Sequence, residues 1–223
     1  MSEFTIDWGL PALFAVLSRE FSTVLDIGSG AGEHKRFLEY HGKSVKSVDF
    51  DKEADYHGDF MDIDIPEQFD MVWCSHVLEH QRNVGAFLEK VYSLIAEDGY
   101  LAITVPCHPQ ERLIAGHVTA WSPYLLCYNL VLAGFDCSLA SVFYDHEVSV
   151  IVQKHKADIP EKYRNSVIGD EGDVFGSVRG YFPMEAGQGY EIKKPYALRW
   201  GVGRLVTPIW VDSRFMAHPL ILN

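Results

Sequence analysis

The sequence lacks any apolar run long enough to cross a bilayer; its longest, YLLCYNLVLAGF, is interrupted by Asn129. It opens MSEFTIDW, which is acidic and carries neither a basic leader nor an apolar signal segment, so a cytoplasmic protein with no membrane span is expected. Only four cysteines occur, at 74, 107, 127 and 137, with no CxxC pair and no histidines at zinc-finger spacing, which points to buried free thiols. No Lys/Arg cluster offsets a net charge of -12, so a phosphate backbone would be repelled and nucleic acid is excluded as the main partner. Internal repeats and low-complexity tracts are also missing.

What remains is the composition of an ordinary soluble domain: 223 residues, 48% apolar and 22% charged, enough for a full hydrophobic core without staples. Leu10, Leu13, Phe14, Leu17 and Phe21 recur at helical spacing and predict an amphipathic helix over 9 to 21. A strand at 23 to 26, a helix at 32 to 41 and a strand at 44 to 49 then form a βαβ unit. FDMVWCSHV (69 to 77) reads as a buried strand. NVGAFLEKVYSLIAEDG reads as a helix with Val84, Phe87, Leu88, Val91 and Ile95 on one stripe, stopped by Gly99. YLAITVP is another strand, Ser122-Pro123 opens a helix that ends at Gly134, and residues 137 to 144 and 147 to 154 form two strands around an Asp145-His146 turn. Strands alternating with helices imply an α/β fold with a mainly parallel sheet covered on both faces, the closing hairpin adding an antiparallel strand at one edge. Residues 1 to 154 read as one domain. Residues 155 to 223 hold eight glycines and no sustained periodicity, an irregular C-terminal extension that serves as a lid, a wall of the substrate pocket or a homo-oligomer contact; the residues leave these open.

The chemistry centres on VLDIGSGAGEH, residues 24 to 34. A dinucleotide turn needs GxGxxG, but position 33 is Glu, and the pattern is Asp26-x-Gly28-x-Gly30-x-Gly32. The glycines allow the backbone close to a ligand, and Asp26 sets a carboxylate where an ammonium can bind. A ligand with its own positive charge is favoured over a pyrophosphate. Asp49, ending the second strand, is placed for ribose hydroxyls, a role common to nicotinamide and adenosylmethionine sites, so it does not discriminate alone.

Four segments in order, VLDIGSGAG, SVDFD, GDFMDIDIPEQFDMVWCSHVLEH and LIAEDGYLAITVP, together resemble the class I S-adenosylmethionine-dependent methyltransferases, over roughly residues 20 to 154. The likeness is to the subgroup with the VLEH segment, which acts on small molecules and saccharides. It implies a Rossmann-like seven-stranded sheet and S-adenosyl-L-methionine as cofactor, with S-adenosyl-L-homocysteine as product. It also implies that Asp26, Gly28 and Gly30 surround the methionine portion, that Asp49 holds the ribose and Phe50 flanks the adenine. Asp59 and Phe60 become adenine-edge contacts, with Asp62 a competitor for that place. Ser75 and His76 touch the cofactor and face the substrate, whereas Glu79 and His80 serve to fix their loop.

Methyl transfer from a sulfonium is mainly a matter of positioning the nucleophile, although a hydroxyl acceptor gains from a general base. His117 and His76 are the candidates for that catalytic role, with His108 behind them. CSHV stands where nucleic-acid amino-methylating relatives carry Asn/Asp-Pro-Pro-aromatic, which again argues against DNA or RNA. The expected acceptor is a small molecule, first among them a sugar or glycan-precursor hydroxyl. No acid and histidine grouping has metal-ligand spacing along the chain, so no metal is expected. Two rivals stand beside this reading: a methyltransferase-like protein that binds or regulates a partner without turnover, and an NAD-dependent oxidoreductase, for which the third dinucleotide glycine is missing.

Overall fold

The first two strands end, in sequence, at a glycine and at an acid, Gly28 and Asp49. In the computed structural model, residues 6–108, 114–144, 146–159 and 178–183 are described. Seven strands, β1 (Thr23–Ile27), β2 (Ser44–Asp49), β3 (Tyr56–His57), β4 (Phe69–Ser75), β5 (Ile95–Pro106), β6 (Ser141–Tyr144) and β7 (Glu147–Gln153), form one sheet in the order β3-β2-β1-β4-β5-β7-β6. The first five run parallel, with Val24 opposite Val45 on one side and Met71 on the other. β7 runs against β5 and against β6, so the closing hairpin supplies the edge and the reversed strand lies one place inside it.

Alternation along the strands feeds two cores. Val24, Met71, Trp73 and Ala102 face α1 (Leu10–Val16) and α2 (Glu33–Tyr40), while Leu25, Val72, Cys74 and Leu101 face α3 (Val84–Leu94) and α4 (Pro123–Leu132). The helices thus cover both faces, in the Rossmann-like arrangement. Cys74, Cys127 and Cys137 are buried free thiols, and Cys107 is half-buried and in no disulfide.

Three elements differ from expectation. α1 stops at Val16 rather than 21, because the Ser18 hydroxyl donates to the Ala15 carbonyl at 2.9 Å and draws off the helix's last turn. Phe21 still reaches the core, 7% exposed, from the segment that follows. α3 ends at Leu94 and β5 begins at once at Ile95, so Gly99 lies inside a strand instead of stopping a helix. A Cβ there would stand 2.7 Å from the Asp70 carbonyl oxygen, beside the register shift between Phe69 and Met71. β6 starts at Ser141 rather than 137, since Ala140 donates to the Cys137 carbonyl in a turn. β3, two residues long, gave no periodic signal.

Asp145 and most of the 155 to 223 extension lie outside the described residues. The parts that are described join the main core. Ala157, Ile159, Val178 and Phe182 are buried, and the Phe182 ring stacks on Tyr124 with centroids 5.5 Å apart.

Candidate active site

The carboxyl ends of β1, β2 and β4 open on a cavity of about 510 Å³, bordered by Gly28, Asp49, Phe50, Asp59, Phe60 and Val77, with His80 and Asn83 farther along its rim. A smaller cavity of about 200 Å³ lies on the other side of the glycine turn, lined by Trp8, Ser29, His34, Ser75 and His76. Gly28 borders both.

The turn between them needs glycine. Gly28 has φ +72° and donates its N–H to the Val48 carbonyl; a Cβ on it would meet Val77 Cγ2 at 2.2 Å. Gly30, at φ +50°, has open space where its Cβ would be, and its N–H donates to Asp49 Oδ2 at 2.9 Å. Asp49 Oδ1 accepts from the Asp51 N–H at 2.9 Å. Each oxygen of that carboxylate keeps a second lone pair, so Asp49 can accept two hydroxyls while still fixing the turn. Phe50 is 73% exposed at the rim. Asp59 accepts the Met61 N–H and is exposed, whereas Phe60 is at once cavity lining and core, its ring edge-on to Phe87. Asp62 borders neither cavity.

Asp26 lies deeper than the turn. It is 1% exposed, one of its carboxylate oxygens has no hydrogen-bond partner, and burial pushes its pKa up to about 7 against the opposing pull of Lys35. Ser75 Oγ is buried beside the smaller cavity, also without a partner. Orphaned polar atoms flanking a glycine turn are the groups that a zwitterionic ligand would satisfy.

His76 follows β4 in the left-handed conformation, φ 57°. Its Nε2 lies 3.0 Å from Glu147 Oε2 and its Nδ1 3.3 Å from Glu79 Oε1. Burial works against the charge, but hydrogen bonding to Glu147 and the proximity of Glu79 outweigh it and raise the pKa to about 9. At neutral pH the ring is an imidazolium, and both its nitrogens carry protons. Glu147 also accepts the Gly9 N–H, at 2.8 and 3.1 Å, and this ties residues 6 to 9 across the smaller cavity, where Trp8 packs on His76. His34 Nε2 meets the Trp8 carbonyl at 3.0 Å, and its pKa is lowered, chiefly by burial. His117 stands edge-on to His80, centroids 4.8 Å apart, and His108 lies beside His146. The Glu79 carbonyl accepts the Val118 and Thr119 N–H groups, which ties the Leu78–His80 turn to the loop that carries His117.

Trp8, His34 and Glu147 were not singled out by sequence reasoning. Glu147 had a signal, an acid opening the apolar strand EVSVIVQ; Trp8 and His34 join the site only through folding.

Residues 6–132 match the family model described as Methyltransferase domain. The chain belongs to that family. The architecture of this methyltransferase domain is the class I methyltransferase fold. A malonyl-[acyl-carrier protein] O-methyltransferase of Salmonella typhimurium is 29% identical over 110 residues, covering 43% of this chain and 44% of that enzyme, so less than half of the relative's length is spanned. A SAM dependent methyltransferase from Archaeoglobus fulgidus superposes over 65% of this chain and 93% of its own at 17% identity and TM-score 0.55. The 1,6-didemethyltoxoflavin-N1-methyltransferase of Burkholderia thailandensis does so over 65% and 76%, at 19% identity and TM-score 0.53. In the methyltransferase domain the matched segment contains the glycine turn, Asp49 and the Leu78–His80 turn, while Glu147 comes from β7, beyond it. No helix among the described residues is long and apolar enough to cross a membrane.

Proposed function

We propose that this methyltransferase domain moves a methyl group from S-adenosylmethionine to a hydroxyl of a small neutral acceptor, a sugar or glycan precursor in the first instance. The observation that carries the reading is the Gly30–Asp49 hydrogen bond at the mouth of the larger cavity, which sets a bare backbone turn and a bifunctional acceptor carboxylate on one wall. Bound there, the cofactor supplies a sulfonium methyl that is activated by its own charge. The chain's part is to hold and orient. Asp49 takes the ribose hydroxyls, Phe50 and the Asp59–Phe60 edge take the adenine, and Gly28, Gly30, Asp26 and Ser75 receive the amino-acid end.

His76, clamped as a cation between Glu79 and Glu147, positions the floor of the acceptor end rather than accepting a proton. The His117–His80 pair over Glu79 is then the group that assists the acceptor hydroxyl. A neutral, polyhydroxylated acceptor suits a chain of net charge -12 whose small cavity is walled by Trp8 and histidines. The relative from Salmonella typhimurium is by name an O-methyltransferase, which supports oxygen as the acceptor atom.

Asp49→Ala tests the cofactor wall. Titration calorimetry with S-adenosylhomocysteine should show a loss of about 1 to 3 kcal/mol, roughly 5- to 150-fold in Kd. Unchanged affinity removes the ribose assignment. Transfer of labelled methyl across a panel of sugars, phenols and carboxylic acids then tests the acceptor class, and labelling confined to the acids would replace the hydroxyl reading.

A further inference from the structure

Glu79 is wholly buried, and neither of its carboxylate oxygens accepts a hydrogen bond. A carboxylate in that position calls for a compensating cation. His76 faces it from the end of β4 at 3.3 Å, but His76 is shared with Glu147. On its other side Glu79 faces His80, whose Nε2 is 4.0 Å from Oε1. His80 Nδ1 lies 3.0 Å from the Gly116 carbonyl. A carbonyl can only accept, so Nδ1 carries a hydrogen and Nε2 is the ring nitrogen turned toward the carboxylate. His117 completes the group: one ligand atom each from Glu79, His80 and His117 falls within 4.8 Å of the others.

We propose that Glu79, His80 and His117 form a binding site for a divalent transition cation of the zinc type, at the rim of the larger cavity. Two imidazoles and one carboxylate are a ligand set that zinc takes with a fourth position open. With bonds of about 2.0 to 2.2 Å, ligand atoms around a tetrahedral ion stand roughly 3.3 to 3.5 Å apart. The three groups therefore close by about an ångström, within reach of ring rotation at His80, which is exposed, and His117, which is half-buried. The supports are already in place. The Gly116 carbonyl orients His80 as an outer-shell partner does, and the Glu79 carbonyl holds the Val118 and Thr119 N–H groups, fixing His117's loop to the turn that bears the other two ligands. The signal was invisible along the chain because 37 positions separate His80 from His117. Since His80 lines the larger cavity, the open position would take an acceptor oxygen; that last step rests on the methyl-transfer reading, whereas the cation site does not.

The test uses the full, tag-free chain, stripped by dialysis against a chelator and titrated with zinc chloride in a calorimeter, with cobalt(II) absorption as the report on coordination geometry. Saturation at one equivalent is expected, with tetrahedral cobalt bands. His80→Gln and His117→Gln should each weaken zinc binding about tenfold or more while the circular dichroism spectrum stays native. Absence of one-equivalent binding, or wild-type binding in His117→Gln, overturns the site. Glu79→Gln is a secondary variant because its burial puts folding at risk. S-adenosylhomocysteine binding, measured separately on the stripped chain, reports on the methyl-transfer reading alone.

Discussion

Asp26 and His76 show how single buried groups in this site make the stability of the fold depend on pH. Asp26 titrates near pH 7 in the folded chain and near 3.8 when unfolded, so the native state binds the proton more tightly. Its contribution is intact below pH 3.8 and is lost as pH rises toward 7, an effect of up to about 4 kcal/mol for a shift of this size. His76 is raised from 6.5 to about 9, and its contribution, intact below pH 6.5, is lost as pH climbs through 9. The two windows adjoin, and stability of the free protein should therefore fall steadily from pH 5 to pH 9. Urea unfolding across that range checks the slope. Asp26→Asn should be more stable than the wild type at pH 8, with the advantage shrinking as pH drops to 4.5. No pH-dependent difference between the two would mean that the carboxyl is already solvated. The cost in the wild type is consistent with a group kept for a cationic ligand.

The elements that the sequence made legible are those with a strong local signal. The βαβ unit from Thr23 to Asp49 could be read because its strands are β-branched and end in glycine or acid, and α4 because Ser122 and Pro123 open it, Ser122 accepting the Leu125 N–H. The α3–β5 junction misled because Gly99 is a stop signal in helical context, whereas its reason is tertiary. A side chain there would strike the backbone of the neighbouring strand at Asp70. For the same reason the cavity wall of Gly28 and Asp49 could be anticipated, being local to two strand ends, while Trp8, His34 and Glu147 could not, being assembled by β7 and residues 6 to 9. Gly99→Ala follows from this. Its nearest contacts are the Asp70 and Ala96 carbonyl oxygens, at 2.7 and 3.0 Å, and Ile95 Cγ2 at 2.8 Å, so the β4–β5 pairing has to shift. A loss of about 1 to 3 kcal/mol is expected, read as a lower urea midpoint with an unchanged slope. A neutral substitution would show that the pairing can yield at its bulge.

At the scale of the whole molecule, both ends of the described chain are brought to the reversed end of the sheet. Gly9 is tied to Glu147 on β7, and the segment after β7 returns to the end of α4, where Asp136 donates its N–H to the His155 carbonyl and Ala157 donates to that of Gly134. Residues 178 to 183 then lie on the same helix. Phe182 is 6% exposed and stacked against Tyr124, with Tyr128 at 5.9 Å, so the extension contributes an aromatic plug to the core that α3 and α4 share. If that plug is integral, truncating it should act on the entire cooperative unit. Phe182→Ala is expected to cost about 3 kcal/mol, the low end for a buried phenylalanine. For a domain of this length that corresponds to a fall in Tm of about 6 to 12 °C. A melt followed by fluorescence and by circular dichroism should give one coincident, lowered transition, because the ring packs on the main core rather than on a separate one. A Tm within a degree of wild type, or a second transition that alone responds, would place the extension outside the cooperative fold and support a boundary near residue 154.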